Sequence, residues 1–479
     1  MSSTRQSLLY SFVDRYLALA ISMGSSMVIA RLLTPTEIGV FSVTMVLLTY
    51  VASVRDMSAG QYLVQEKELT RDRIRAVWAV QLGLGLSLAL VILLASHPVA
   101  VFYREPRMQS IMLVVALNYA INPFGSLTYA WLMREMQFKS LAVMRALAGI
   151  AGAVVSIGMA WRGHGPISLA YGTLASTATN ATLAVFMRPS DFPWMPGFKE
   201  VGRVLGFGSR LTGSAVLGVI SGSAPELMLG KLQTLTDAGF FSRGGGLVAM
   251  YQRLFVDAVG SVCVPWFSLQ QRQFGSLVTP FLTSVAYVSV FGWSFCFMLI
   301  LLADPMVHLL YGDQWDRAVN VTRLLAVSSL FSVPATLCHI ALMASGGVGK
   351  MARIAVANTI TTVACASVGA WFSLEAAATG LILSSFLNSA RQLRVTTAHI
   401  EVTMGQLFRS LSSSLSVALI AALGPLIAIL LFGVSPKSAL PSLVVGCGGA
   451  VLGFLLAIRL LRHPFQQEID RVWARLRRR

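Results

Sequence analysis

Apolar runs of about 20 residues recur from one end of the chain to the other, separated by short connections. A run of that length crosses the hydrocarbon layer as a helix, because only a helix satisfies its own backbone polar groups in lipid. Charge agrees with this reading. A soluble domain carries about 25% charged residues; this chain carries 12%. The apolar periodicity predicts fourteen helices, near 8–30, 38–58, 77–97, 108–132, 141–161, 166–187, 204–225, 237–262, 281–303, 321–344, 352–372, 376–397, 409–432 and 440–461. The longest connections, 57–77 and 188–203, are too short for a folded soluble domain.

The net charge of +17 does not point to nucleic acid, because the basic residues sit in the connections. Fourteen spans put both termini on one side. If that side is the cytoplasm, the termini and even-numbered connections hold 26 Lys and Arg. The opposite side holds eight: Arg31, Arg104, Arg107, Arg162, Lys231, Arg317, Arg323 and Lys437. Arg15, Arg243 and Arg253 fall inside helices. A bias of this size and continuity supports both the count and the orientation.

The chain also repeats itself. Ala30–Ser42 reads ARLLTPTEIGVFS and Gly230–Ser242 reads GKLQTLTDAGFFS. At an offset of 200, six of the thirteen positions are identical: Leu32/Leu232, Thr34/Thr234, Thr36/Thr236, Gly39/Gly239, Phe41/Phe241 and Ser42/Ser242. Arg31/Lys231 and Glu37/Asp237 keep their charge. Each repeat holds six spans, an even number, so both start on the same side and are parallel repeats. The expected architecture is an all-α membrane protein with two pseudo-symmetric six-helix lobes, 1–200 and 201–400. Two appended helices follow within 401–461, then a basic cytoplasmic tail, 462–479. In the tail, Phe465, Ile469, Val472, Trp473 and Leu476 share one helical face. That suits a helix lying on an anionic leaflet, although a short basic segment can equally stay disordered.

Charge inside a span costs roughly 2.5–3.5 kcal/mol on insertion scales, so such residues face protein or water and point to function. Arg15 lies about two turns into the first helix, next to Asp14. Arg243 lies about 9 Å into the eighth helix, and Arg253 and Asp257 follow at a spacing that allows them to pair. Arg243 and Arg253 are nearly three turns apart, on roughly one face, and form a cationic stripe suited to an anion such as phosphate. Arg253–Asp257 also reads as a structural pair near a helix end, and Arg210 and Arg145 as interface anchors. Glu226 reads either as a proton carrier or as a partner for Lys231.

Other chemistry finds little support. Cys263, Cys296, Cys338, Cys365 and Cys447 show no CxxC spacing and read as small buried hydrophobes. The six histidines form no HxxxH or HExxH, so no metal site is expected. Gly346–Met351 resembles a phosphate loop but has Met351 where a Ser or Thr would hold magnesium. No GxSxG elbow or carboxylate cluster suggests catalysis, and no cofactor is expected.

Three stretches resemble bacterial polysaccharide-export flippases of the Wzx/WzxC kind. They are ARLLTPTEIGVFS with Gly60–Gln65, DAGFFSRGGGLVAMYQRLFVDAVGSVCVPWFSLQQR, and Met133–Lys139. Phe241-Ser242-Arg243 and Pro265 match the family's pattern, while Gly244–Gly246 depart from its bulkier residues. The resemblance implies the multidrug/oligosaccharidyl-lipid/polysaccharide transporter fold, with two six-helix lobes around a central cavity and two extra helices. It implies a bacterial cytoplasmic-membrane flippase for an undecaprenyl-pyrophosphate-linked oligosaccharide of exopolysaccharide, capsule or O-antigen. Arg15, Arg243, Arg253 and Arg210 would then attract the pyrophosphate, with Asp257 or Glu226 carrying a coupling ion. Implied partners are the bilayer, a polysaccharide polymerase and export machinery. A multidrug antiporter of the same superfamily and a membrane glycosyltransferase or polymerase are the alternatives. Interior arginines disfavour the first, and the lack of a large acidic loop disfavours the second.

Overall fold

A computed structural model describes residues 2–56, 59–66, 68–189, 192–193, 195–433, 438–468 and 470–471. Within its helices, the side chains of 2–15, 51, 53–56, 59, 61, 65, 207–216, 258 and 261 lie outside the description. The described residues are helical and contain no strand. In order, the helices are α1 (Ser2–Leu32), α2 (Pro35–Asp56), α3 (Ala59–Gln65), α4 (Arg71–Tyr103), α5 (Pro106–Arg134) and α6 (Phe138–Trp161). Then come α7 (Ile167–Phe186), α8 (Val201–Leu232), α9 (Leu235–Tyr251), α10 (Asp257–Phe274), α11 (Val278–Tyr311) and α12 (Asp316–Ser332). The last are α13 (Cys338–Ala344), α14 (Val348–Phe372), α15 (Leu374–Ile400), α16 (Met404–Phe432) and α17 (Ala439–Leu460).

Helical backbone runs through the middle of each of the fourteen predicted segments. Among the described residues, eight helical stretches are long and apolar enough to cross a membrane, and two shorter apolar ones lie at Tyr16–Leu32 and Pro35–Tyr50. Two predicted helices are broken in ways that apolar periodicity does not reveal. A π turn, Gln252–Val256, joins α9 to α10. A 3-10 turn, Val333–Ala335, ends α12 where Pro334 removes a backbone donor.

The ends of the helices follow their sequences. Thr70 caps α4 by accepting from Arg73 N–H, and Ser373 alone separates α14 from α15 while capping the latter through Ala376 N–H. Thr403 and Gln406 form a reciprocal capping box at the start of α16.

By their internal contacts the residues fall into two compact units, Met1–Gly239 and Phe240–Arg479. In the first, α1 packs on α6, α6 on α7, α4 and α7 on α5, and α2 on α8. A cluster of Tyr62, Leu63, Val77, Trp78, Leu127 and Phe192 lies between α3, α4 and α5. In the second, α11 packs on α12 and α16, α14 on α15, and α16 on α17. Gly424 and Gly449 let α16 and α17 meet at backbone distance; a Cβ at Gly449 would lie 2.8 Å from Gly424 Cα. Large apolar side chains such as Leu430, Leu452 and Leu460 point outward, as expected where lipid is the solvent.

Aromatic rings brace the π turn. Tyr251 stacks on Phe255 at 5.8 Å, Phe255 on Phe291 at 5.4 Å, and Phe291 meets Phe465 edge-on at 5.0 Å. Phe465 was expected on the lipid-facing side of the tail; it packs instead into the second unit against Phe291 and Tyr287. Ile469 and the face formed by Val472, Trp473 and Leu476 lie outside the described residues. Cys263, Cys296 and Cys338 are buried and the other two cysteines half-buried, all unbridged.

Candidate functional site

The repeated stretches first explain themselves as helix starts. Thr34 and Glu37 bond reciprocally at the head of α2: Thr34 N–H donates to Glu37 Oε2 at 2.8 Å, and Glu37 N–H to Thr34 Oγ1 at 3.3 Å. Thr234 and Asp237 repeat part of this at the head of α9, where Thr234 Oγ1 donates to Asp237 Oδ2 at 2.6 Å and accepts from Asp237 N–H at 3.1 Å. The first is a capping box and the second shares one of its two backbone bonds, each holding a helix-terminal N–H that would otherwise lack a partner.

The two starts also touch each other. Thr36 Oγ1 and Thr236 Oγ1 share a hydrogen bond at 2.7 Å. A Cβ added at Gly39 would overlap the Leu235 carbonyl oxygen, and one at Gly239 the Pro35 carbonyl oxygen. Two of the six identities therefore serve one symmetric contact: Thr36/Thr236 bonds it, and Gly39/Gly239 allows the backbones to meet. Beside it, Lys231 Nζ donates to Phe102 O at 2.5 Å and sits 3.7 Å from that ring's centre. Lys231, the residue the sequence offers as a partner for Glu226, contacts Phe102 in this way. Glu226 is half-buried in α8, next to Pro225 within the helix.

Beyond this junction α9 carries Arg243, and the π turn that follows it carries Arg253. Arg243 is half-buried over an aromatic shelf, 5.7 Å from the Tyr311 ring and 5.9 Å from the Trp315 ring. Cation–π attraction of this kind contributes about 0.5–2 kcal/mol and fixes the guanidinium plane. Trp315 is fully buried and meets Phe240 edge-on at 5.8 Å. The shelf comes from the last residue of α11 and the turn after it, a placement that inspection of α9 alone does not reveal.

Arg253 and Asp257 are exposed on and just after the π turn. Asp257 Oδ1 accepts from Gln252 Nε2 at 3.5 Å, five residues back. A π turn re-aims side chains relative to a continuous α-helix and recurs at functional sites. The side chains of Asp14, Arg15 and Arg210 lie outside those described.

A second charged cluster escaped the sequence reading. In the first unit, Glu66 lies 3.6 Å from Arg73 and 3.4 Å from Arg203, and Glu200 lies 3.7 Å from Arg73. Arg134 donates to the carbonyls of Leu63 and Glu66 at the end of α3, at 2.8 and 2.5 Å. Burial, with Glu66 alongside, pushes the Tyr62 phenol up to about 12. These contacts tie described residues of the two longest connections together. The mixed charges of Glu66–Arg75 and Lys199–Arg203 were the available signal.

A family model described as "Polysaccharide biosynthesis protein" matches residues 28–320, more than half of the chain. The chain belongs to this family. The succinoglycan biosynthesis transport protein ExoT of Rhizobium meliloti (strain 1021) is 24% identical over 350 residues, 72% of this chain and 69% of ExoT. The lipopolysaccharide biosynthesis protein WzxC of Escherichia coli (strain K12) is 20% identical over 472 residues, 97% of this chain and 95% of WzxC. Among solved structures, the lipid II flippase MurJ in an inward closed conformation matches with a TM-score of 0.76 at 10% identity, covering 95% of this chain and 99% of MurJ. An inward-facing multidrug-resistance transporter of the MATE family matches with a TM-score of 0.61 at 14% identity, covering 80% and 94%. At these identities the likeness is one of fold. This member of the polysaccharide biosynthesis family is an all-helical, multi-pass membrane protein with the fold of these solved structures.

Proposed function

We propose that the protein moves a polyprenyl-pyrophosphate-linked oligosaccharide across the bacterial cytoplasmic membrane for polysaccharide export, by alternating access of two six-helix repeats, 1–200 and 201–400. All fourteen helices cross the membrane in this reading, both termini are cytoplasmic, and α16 and α17 are additions to the repeats. The observation that carries the proposal is the oriented cation on α9. Arg243 is held half-buried on Tyr311 and Trp315, with Arg253 exposed further along the same helical path. A guanidinium binds phosphate oxygens in a fork, and here the aromatic shelf orients that fork in advance. The polyprenyl chain stays in lipid, which avoids moving a long hydrocarbon through water.

The Thr36–Thr236 junction suits the outer closure of such a cycle. It lies where the positive-inside bias puts the non-cytoplasmic side, and its glycines permit a close contact without interlocking side chains. Parting it exchanges one hydrogen bond between hydroxyls for hydration, a cost of about 1 kcal/mol. Drive comes from an ion gradient or from consumption of the product. Asp257 and Glu226 are the carboxylates proposed to take the ion, Arg15 and Arg210 complete the cationic set beside Asp14, and a polymerase is the proposed downstream partner.

Transport of a radiolabelled lipid-linked repeat unit into proteoliposomes tests the reading. Arg243→Ala should abolish it at normal protein levels. Undiminished transport by that variant would remove the cationic-site proposal.

A further inference from the structure

We infer that the cleft between α11, the start of α16 and the turn after α17 binds the phosphate headgroup of an anionic bilayer phospholipid. The cleft has a volume of about 680 Å³ and is lined by Thr283, Ala286, Gly405, Arg409, Ser413 and Pro464, among others. It lies wholly within the second unit and does not involve α9.

Three of its polar groups are unused. Among the described residues the Arg409 guanidinium meets no carboxylate, and the hydroxyls of Thr283 and Ser413 make no hydrogen bond. Neighbouring serines behave differently. Ser410 Oγ donates to Leu282 O at 3.0 Å, Ser412 to Arg409 O at 3.0 Å, Ser414 to Ala286 O at 3.1 Å, and Ser416 to Ser412 O at 3.0 Å. Ser413 is the member of this run whose hydroxyl is left to the cleft. One guanidinium and two hydroxyls supply the donors that a phosphodiester accepts.

The far wall is built, not incidental. The Pro464 carbonyl accepts from Tyr287 OH at 3.3 Å, and the preceding His463 is buried with Nε2 3.1 Å from Ser414 Oγ. Lipid is the occupant because of what continues from the cleft. Leu419, Leu423, Ile427 and Leu430 are all at least 50% exposed and follow Arg409 at helical spacing along one face of α16. A headgroup held at Arg409 would lay its acyl chains along that stripe.

The test uses the full chain in nanodiscs. Native mass spectrometry should find phosphatidylglycerol retained from a mixed phosphatidylglycerol–phosphatidylcholine bilayer, with retention falling at least tenfold in Arg409→Gln. Arg409→Lys, which keeps the charge, should retain an intermediate amount, and Ser413→Leu, which fills the cleft, should behave like Arg409→Gln. Inorganic phosphate at millimolar concentration should not displace the lipid. Equal retention in wild type, Arg409→Gln and Ser413→Leu would overturn the assignment, as would equal retention of the two lipids. Displacement by inorganic phosphate alone would mark a site for a free anion and refute the lipid. If Arg409→Gln does not fold, Ser413→Leu and the lipid comparison in the wild type still decide.

Discussion

Gly39→Ala is the most direct perturbation of the repeat-related junction. The added Cβ would overlap the Leu235 carbonyl oxygen and lie 3.0 Å from Gly239 N. Both are backbone atoms, so no flexible side chain can swing away and the helix starts have to separate. Overpacking of this kind costs about 1–3 kcal/mol. If the junction is closed in one state of the cycle and parted in the other, the cost falls on the closed state alone. The ratio of closed to open protein then falls about 5–150-fold. A cysteine pair reads that ratio. Thr36 and Thr236 place their hydroxyls 2.7 Å apart, so Thr36→Cys/Thr236→Cys brings two thiols close to disulfide reach. The half-buried Cys365 and Cys447 are first changed to serine. In membranes, mild oxidant should cross-link the pair and stop transport, and reductant should restore it. Adding Gly39→Ala should slow cross-linking at least about fivefold without lowering protein level. Unchanged cross-linking would refute the steric reasoning. Full cross-linking with undiminished transport would refute the closure itself.

Three further predictions follow from the same geometry. Tyr311→Leu should lower transport several-fold, and Arg243→Lys should recover only part of what Arg243→Ala loses, because an ammonium keeps the charge but not the planar fork; proteoliposome uptake measures both. Glu66→Ala should cost about 2 kcal/mol of stability, read as a lower Tm, since it leaves Arg73 short of a partner at 14% side-chain exposure; the share from Arg203, half-exposed, is screened by solvent. His463 adds a pH dependence: burial pushes its pKa from 6.5 down to about 4. The unfolded chain therefore binds the proton more tightly, so this contribution is intact above pH 6.5 and is lost as pH falls towards 4. It amounts to at most about 3 kcal/mol before solvent screening, and His463→Asn should flatten that limb of a Tm-against-pH curve.

What could be read from the sequence was what is local or periodic. Hydrophobic runs announce helices because lipid imposes one length and one backbone solution. Thr34–Glu37 and Thr234–Asp237 carry their capping logic within four residues, and it was there to be read. Pairings over long distances in the chain left no such mark. Arg243 rests on rings 68 and 72 positions later, and Glu66 meets Arg203 from 137 positions away. Nothing in the spacing of either segment encodes its partner. The π turn at Gln252–Val256 was hidden for another reason. It inserts into an apolar run whose periodicity barely changes, and its bracing ring Phe291 comes from α11.

At the same offset of 200, Arg243 corresponds to Val43. Val43 is fully buried, and a Cβ on Gly230 would lie 2.8 Å from its Cγ2. One member of the pair therefore closes a helix contact while its counterpart supports a charge on Tyr311 and Trp315. No arginine fits the Val43 position without leaving a charge buried, at a cost of several kcal/mol. No aliphatic side chain at 243 would use the shelf. Thr36/Thr236 and Gly39/Gly239, by contrast, need both copies, because each residue's partner is its own repeat image. Identity persists where the repeats must match in order to touch, and it lapses one turn later, where only one of them is built to hold a cation. A substrate with a single charged headgroup needs one such place and not two.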